Sequence, residues 1–132
     1  MVKDYEYWKS AAQSIRFDGR PFWHGERVNA SSGKTISTTN PATGEQLSQL
    51  HHCEPSDVDA AVASARQAFD SGEWSRAGAG FRRERLLELA KLMEQHAEEL
   101  ALADSLDMGK PIREAISIDA PGSAALMRFY AE

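Results

Sequence analysis

The sequence contains a single cysteine, Cys53, so it cannot form an internal disulfide framework. No apolar run approaches the ~20 residues that a membrane-spanning helix needs. Residues 1–8 include acidic side chains and no apolar core, which argues against a secretory signal or a transit peptide. Basic residues are outnumbered, 15 Lys and Arg against 20 Asp and Glu, and a net charge of −5 argues against nucleic-acid binding. These absences predict a cytoplasmic protein without nucleic-acid or membrane partners.

The composition is that of a globular domain, with 132 residues of which 42% are hydrophobic and 27% charged. We divide the chain into a leader, residues 1–19, and a main part, residues 20–132. In the leader, four residues are spaced as one helical stripe: Tyr7, Trp8, Ala11 and Ile15.

Residues 20–55 are rich in turn formers and β-branched side chains. Alternation over residues 22–28 and a Thr-rich run over residues 34–39 predict two strands, which we expect to pair as a hairpin. Residues 40–44 predict a turn, because Pro41 presets φ and Gly44 permits a positive φ. Residues 45–52 predict a third strand.

Residues 56–132 change to helical periodicity. Ser56, followed three residues later by Asp59, resembles a capping box and predicts the start of a helix that Gly72 ends. The apolar positions of this helix share one face: Val58, Ala61, Val62, Ala65 and Phe69.

A second, longer helix is predicted after Gly80, with Gly109 as its stop. Its apolar positions also share one face: Leu86, Leu89, Ala90, Met93, Ala97, Leu100 and Ala103. Pro111 can open a third helical region, in which Pro121 predicts a kink or a split. The helical pattern reaches Glu132 without a stop signal, from which we expect a truncated chain.

The run His51-His52-Cys53-Glu54 allows three interpretations: a nucleophilic cysteine, a metal site, or a passive thiol. In a strand, His51 shares the face of Cys53, but His52 does not. Consecutive residues cannot all face one metal ion, and no second His/Cys pair is present. The pattern favours the passive thiol.

Asp107 lies at a predicted helix end, where carbonyl groups are unpaired and a carboxylate is unfavourable with the helix dipole. A metal ion or Lys110 would offset this. Two interpretations stay open: a turn-forming residue bonded to local amides, or a ligand for a hard cation, which prefers carboxylate and carbonyl oxygens.

Taken together, five segments in order resemble the N-terminal region of the NAD(P)-dependent aldehyde dehydrogenases. They cover most of the chain from about residue 20 onward. The segments are residues 22–28 with 33–35, residues 39–45, residues 57–69 with Trp74, residues 85–111, and residues 128–131.

The resemblance implies an α/β fold, namely the N-terminal part of the cofactor-binding domain, with a β-hairpin plus three helical regions. The catalytic and oligomerisation domains of the family are absent. It also implies a parent enzyme that oxidises an aldehyde to a carboxylic acid with NAD or NADP and that forms a homo-oligomer when full length. Cys53 is not in the sequence context of the family's nucleophile, and no catalytic or cofactor-binding residue is carried over. We therefore expect this chain to be inactive alone.

Many family members bind a structural sodium or potassium ion. The matching positions are Thr38 and Thr39, through backbone carbonyls, and Asp107, through its side chain. Tyr7-Trp8 and residues 120–125 resemble the bacterial enzymes that oxidise γ-glutamyl-γ-aminobutyraldehyde in putrescine catabolism. Two alternatives to the dehydrogenase interpretation are a small acidic helical interaction module without catalysis and an independent small enzyme that uses Cys53.

Overall fold

A computed structural model describes residues 3–132. The described residues form two compact units, one made of residues 3–16, 39–45 and 80–132, and the other of residues 17–38 and 46–79. The elements, in chain order, are α1 (Tyr5–Ser14), β1 (Phe22–Trp23), β2 (Glu26–Arg27), β3 (Thr35–Thr39), β4 (Gln46–His51), α2 (Pro55–Ser71), α3 (Ala79–Gln95), α4 (Ala97–Met108), α5 (Ile112–Glu114), a π-helical turn (Ala115–Asp119) and α6 (Ala120–Ala131). Within residues 3–132, no helix has the length and apolar character to cross a membrane.

The strands form two separate two-stranded sheets, β1 with β2 and β3 with β4. The single strand predicted over residues 22–28 is wrong, and so is its pairing with residues 34–39. His24 and Gly25 both have positive φ, 54° and 79°, and this tight turn folds the segment back on itself. Alternation over so short a run cannot distinguish one strand from two strands of two residues.

The predicted turn at residues 40–44 and the third strand are confirmed. Gly44 has a φ of 75° and donates its N–H to the Asn40 carbonyl at 2.8 Å. The Asn40 N–H in turn donates to the Glu45 carbonyl at 2.8 Å. The turn therefore joins β3 directly to β4.

Helix α2 begins at Pro55, and its capping box is formed by Glu54 with Asp57, two residues before the predicted pair of Ser56 with Asp59. Pro55 takes the first helical position. The N–H of a residue at this position makes no intrahelical hydrogen bond, so a proline, which lacks the N–H, is tolerated there. Gly72 ends the helix with a φ of 83°, as predicted.

The second helical region is not one continuous helix, because His96 interrupts it with a φ of −102° and a ψ of 17°. Most of the predicted apolar face is buried or half-buried: Leu86, Ala90, Met93, Ala97 and Ala103. Leu89 and Leu100, predicted for the same face, are exposed, whereas α4 also buries Ala101 and Leu102. Gly109 ends α4 with a φ of 75°, as predicted.

The third region is split, as Pro121 predicts. A π-helical turn separates α5 from α6, and the Ala120 N–H donates to the carbonyl of Ala115, five residues earlier. Pro121 lies in the first turn of α6. A proline has no N–H to donate to the carbonyl four residues earlier, so it interrupts the regular helical hydrogen bonds. The wider π-helical turn lies just before this interruption.

The buried apolar residues in the described part of the chain are almost all alanines: Ala30, Ala90, Ala101, Leu102, Ala115, Ala120, Ala124 and Ala131. Ala101, Ala115 and Ala120 form the cluster between α4 and the helices that follow, with Ile112 and Ile116 packed against it. Helix α1 includes three residues of the predicted stripe, Tyr7, Trp8 and Ala11, whereas Ile15 is its extended C-cap residue. The helix buries none of its residues completely.

Candidate functional site

The loop that follows α4 carries Asp107, the side chain predicted to bind a cation. The Gly109 N–H donates to the Ser105 carbonyl at 3.0 Å, and the Ser105 hydroxyl donates to the Lys110 carbonyl at 2.7 Å. These bonds fix the backbone on both sides of the residue. Asp107 itself is exposed, and its carboxylate makes no hydrogen bond or ion pair with any residue in the 3–132 range.

Lys110 does not neutralise Asp107. Its Nζ lies 2.5 Å from Asp119 Oδ2, and the hydrogen bond to this carboxylate raises the pKa of Lys110. Asp104 and Glu114 add smaller attractive contributions. The ion pair joins the loop after α4 to the end of the π-helical turn, so the Lys110 side chain has a structural role there.

Thr39 and Asp107 lie in the same compact unit, and Thr38 lies in the other. The turn that follows Thr39 packs on the loop after α4, since a β-carbon placed on Gly109 would lie 2.9 Å from Pro41 Cγ. The Thr38 hydroxyl donates to the Ser48 carbonyl at 3.5 Å. Carboxylates and backbone carbonyls are the oxygen ligands that hard cations prefer, and cation binding by Thr38, Thr39 and Asp107 stays a prediction.

The histidines next to Cys53 make hydrogen bonds with a neighbouring loop and not with the thiol. His51 Nδ1 accepts the Ala30 N–H at 3.2 Å, and the His52 carbonyl accepts the Ser32 hydroxyl at 2.6 Å. Cys53 is half-buried and free. Across residues 3–132 no group of three or more His, Cys, Asp and Glu side chains is placed to hold a metal ion. These contacts favour the passive thiol.

A buried carboxylate at the start of α2 was missed by the sequence analysis. Asp57 accepts the Glu54 N–H at 2.8 Å, the Ser31 N–H at 3.0 Å and the Ser31 hydroxyl at 2.9 Å. The Glu54 N–H is the main cause of its lowered pKa, and the Ser31 donors add to it, against an opposing effect of desolvation. The motif Glu-Pro-x-Asp was the available signal. Asp57 fastens the loop around Ser31 to the helix.

A second missed cluster joins the leader to α4. Lys3 Nζ donates to Glu98 at 2.5 Å and to the Tyr7 hydroxyl at 2.6 Å, and the Tyr7 hydroxyl donates to Glu98 at 2.7 Å. The bond to Lys3, followed by that to Tyr7, lowers the pKa of Glu98. No local spacing could reveal this cluster, because its partners are more than ninety residues apart.

Comparison with known proteins identifies the class. The profile of the "Aldehyde dehydrogenase family" matches residues 28–132, and the chain belongs to this family. Its mixture of helices and strands matches the N-terminal part of the solved family structures.

Three proteins illustrate the likeness. The chain is 41% identical to the NADP/NAD-dependent aldehyde dehydrogenase PuuC of Escherichia coli and 43% identical to an aminoacetaldehyde dehydrogenase of Pseudomonas aeruginosa. Each match covers 96% of this chain and 26% of the relative. A solved γ-glutamyl-γ-aminobutyraldehyde dehydrogenase of Burkholderia cenocepacia is 38% identical with a TM-score of 0.92, over 96% of this chain and 26% of the other. The chain therefore spans about a quarter of the length of these relatives.

Proposed function

We propose that this chain is the N-terminal part of an NAD(P)-dependent aldehyde dehydrogenase, an oxidoreductase that converts an aldehyde to a carboxylic acid. The observation that carries the proposal is the family match over residues 28–132, together with a backbone that follows the solved relative at a TM-score of 0.92. NAD(P) as the cofactor of the parent enzyme is supported by the name of the E. coli relative.

The role of this chain in that enzyme is structural. Several of its charged side chains hold loops and helices in place, among them Asp57, Lys110 and Glu98. Within the described residues Cys53 has no hydrogen-bonded histidine, and the family resemblance assigns it no catalytic role. We therefore expect aldehyde oxidation to depend on residues outside this chain, and the chain alone to be inactive.

The test uses a fusion in which this chain replaces the aligned segment of the E. coli relative. Reduction of NAD and of NADP is followed by absorbance with an aldehyde present. We expect turnover from the fusion and none from the 132-residue chain alone. A folded fusion that reduces neither cofactor with any aldehyde would contradict the proposal, and the unmodified E. coli protein is the positive control.

For the substrate, we propose γ-glutamyl-γ-aminobutyraldehyde, which would place the parent enzyme in putrescine catabolism. The name of the solved B. cenocepacia relative supports this choice. The name of the P. aeruginosa relative favours aminoacetaldehyde instead. The kcat/KM values of the native full-length protein for the two aldehydes decide between them, and a higher value for aminoacetaldehyde would reject our choice.

We further propose a sodium or potassium ion held by the carbonyls of Thr38 and Thr39 and the carboxylate of Asp107. This carboxylate is exposed and has no partner among residues 3–132, which supports a ligand at this loop. In the fusion, Asp107→Asn should abolish the rise in melting temperature that sodium or potassium chloride produces over choline chloride. Asp104→Asn, which leaves Asp107 intact, should retain it. Equal salt responses of the two variants would refute the site.

A cytoplasmic location and a homo-oligomeric parent complete the proposal. The single cysteine supports a reducing compartment. Fractionation of the source cells tests the location, and light scattering of the full-length protein tests the oligomer. Recovery outside the cytoplasm, or a monomer mass, would reject the corresponding part.

A further inference from the structure

A cavity lies between the start of α1 and the segment that contains α5 and the π-helical turn. Its volume is about 500 Å³, within the range of about 300–1,000 Å³ that is usual for small-molecule sites. Trp8, Ile112 and Ile116, all half-buried, form its apolar wall. Four charged residues also line it: Lys3, Asp4, Glu98 and Arg113. All of these residues belong to one compact unit, and we call the cavity the α1–α5 pocket.

The apolar wall is held in place by neighbouring residues. Ile112 and Ile116 pack against the buried alanine cluster between α4 and the later helices. Trp8 meets the ring of Tyr7 edge to face, with ring centroids 5.2 Å apart, and the Tyr7 hydroxyl donates to Glu98 at 2.7 Å. A wall that is ordered before a ligand arrives loses little conformational freedom on binding, which favours affinity.

Three of the four charges in the pocket are already engaged. Lys3 Nζ lies 2.5 Å from Glu98 Oε2, so these two charges offset each other. The Asp4 carboxylate caps α1 by accepting the Tyr7 N–H at 2.9 Å. Arg113 differs, because it is exposed and its guanidinium makes no hydrogen bond or ion pair among the residues that the structure describes. The pocket therefore offers one unpaired cation beside an apolar wall.

This combination of groups selects a class of ligand. A guanidinium presents parallel N–H donors that match the two oxygens of a carboxylate. The indole of Trp8 and the two isoleucines suit an apolar aromatic body attached to that carboxylate. A phosphate suits the pocket less well, because its second negative charge adds repulsion from Asp4 and Glu98 while only one unpaired cation attracts it.

We propose that the α1–α5 pocket binds a small aromatic carboxylate, with the carboxylate on Arg113 and the aromatic body on Trp8, Ile112 and Ile116. This inference goes beyond the proposed function and does not depend on it. The competing occupant of the pocket is the remaining part of the polypeptide, which the experiments below distinguish.

The first experiment compares three probes with the same ring system in NMR titrations of the 132-residue chain. Naphthoate carries a carboxylate, naphthylmethanol carries no charge, and naphthyl phosphate carries the larger negative charge. We expect naphthoate to bind at least about fivefold more tightly than either of the others, because only its head group matches a single guanidinium. Equal or tighter binding of the alcohol or of the phosphate would overturn the proposal.

The second experiment changes the cation. Arg113→Gln removes the charge and should weaken naphthoate binding at least about fivefold, while Arg113→Lys keeps the charge and should restore part of the affinity. Arg83→Gln is the matched control, since Arg83 is an exposed arginine outside the pocket and its loss changes the net charge equally. Equal Kd values for the two glutamine variants, both with the circular dichroism of the unmodified chain, would overturn the proposal.

A third measurement needs no variant. In the unmodified chain, we expect nuclear Overhauser effects from the naphthoate ring to the indole of Trp8 and to the methyl groups of Ile112 and Ile116. Trp23 and Trp74, which lie outside the pocket, should show none. Effects at Trp23 or Trp74 without effects at Trp8 would place the probe elsewhere and overturn the proposal.

The fusion with the E. coli relative tests the competing occupant. An enzyme that oxidises aldehydes can also hold a carboxylate where its product forms, so the fusion is compared with its own Arg113→Gln variant. We expect the fusion to bind one more naphthoate than this variant binds. Equal stoichiometry in the two proteins would assign the pocket to the remaining part of the polypeptide and overturn the proposal.

Discussion

Gly109 offers the sharpest test of the contact beside Asp107. It has a φ of 75° at the end of α4, and a β-carbon added to it would lie 2.9 Å from Pro41 Cγ. Gly44 has the same φ of 75°, but its β-carbon would meet nothing within 4 Å. Alanine at Gly44 therefore measures backbone strain alone, whereas alanine at Gly109 measures the same strain and the contact with the turn.

The two costs can be estimated separately. An L-residue in the left-handed region costs about 1–2 kcal/mol, and an added methyl that forces its neighbours apart costs about 1–3 kcal/mol. Gly44→Ala should thus destabilise the chain by about 1 kcal/mol. Gly109→Ala should destabilise it by about 3 kcal/mol, which corresponds to a melting temperature about 8 °C lower than that of Gly44→Ala.

Urea unfolding of the 132-residue chain, followed by helical circular dichroism, provides both values. In a Pro41→Ala background the side chain that the new methyl meets is shorter, so the cost of Gly109→Ala should fall towards that of Gly44→Ala. Equal costs for the two glycine variants in the wild-type background would refute the reasoning. The turn after Thr39 would then not be packed on the loop that carries Asp107.

Three further predictions address the contacts that hold the described elements. Gly19→Ala places a β-carbon against the Gln49 carbonyl oxygen, so the free energy of unfolding should fall by more than about 2 kcal/mol in urea titrations, with Gly78→Ala, which meets nothing within 4 Å, as the neutral control. The lowered pKa of Asp57 in the folded state stabilises the fold above the unfolded pKa of about 4, and this stabilisation is lost as the pH falls below that value. Asp57→Asn should therefore make the free energy of unfolding depend less on pH in the acid range. An unchanged pH dependence in urea titrations would contradict this. Glu98→Gln should speed hydrogen exchange over α1, because it weakens the bonds from Lys3 and Tyr7 that hold the helix, and Glu84→Gln should have no effect; equal exchange in both variants would argue against this attachment.

The sequence predicted elements best where a local signal decides the structure. Gly72 and Gly109 end helices because a left-handed residue there carries no β-carbon penalty, and Pro121 splits its helix because it lacks an N–H. These effects act over a few residues and are visible in any window of sequence. The same holds for the turn that Pro41 and Gly44 predict.

Predictions failed where two local structures share one pattern. The alternation over residues 22–28 fits one strand as well as a tight hairpin, and only the backbone of His24 distinguishes them. The apolar periodicity continues through His96, although the helix is interrupted there. The interruption is a change in the backbone angles of one residue, which the residue types do not reveal. Each error also assigned side chains to the wrong face or partner. Leu100, for example, was predicted for the apolar face and is exposed.

In the candidate site, too, local features could be predicted from the sequence and tertiary contacts could not. The prediction that Asp107 binds a cation rests on its place at a helix end, which is local information, and it stays a prediction; the residue is exposed. The pairing of Lys110 with Asp119 instead of Asp107 depends on how the π-helical turn folds back, which no spacing rule encodes. The Lys3–Glu98 contact is likewise a product of tertiary packing.

The alanine core explains how the chain can keep a family backbone and still expose so many large apolar side chains. Alanine lets helices approach closely, and Ala101, Ala115 and Ala120 meet where α4 contacts the later helices. Burial of a methyl group contributes only about 0.8 kcal/mol, whereas ordering each residue costs about 1–2 kcal/mol. Small buried residues therefore determine how closely the helices pack but stabilise them little. Outward-facing side chains such as Phe129 and Val62, both mostly exposed, hold the larger share of the apolar surface. Covering that surface would supply the stability that the alanine contacts cannot.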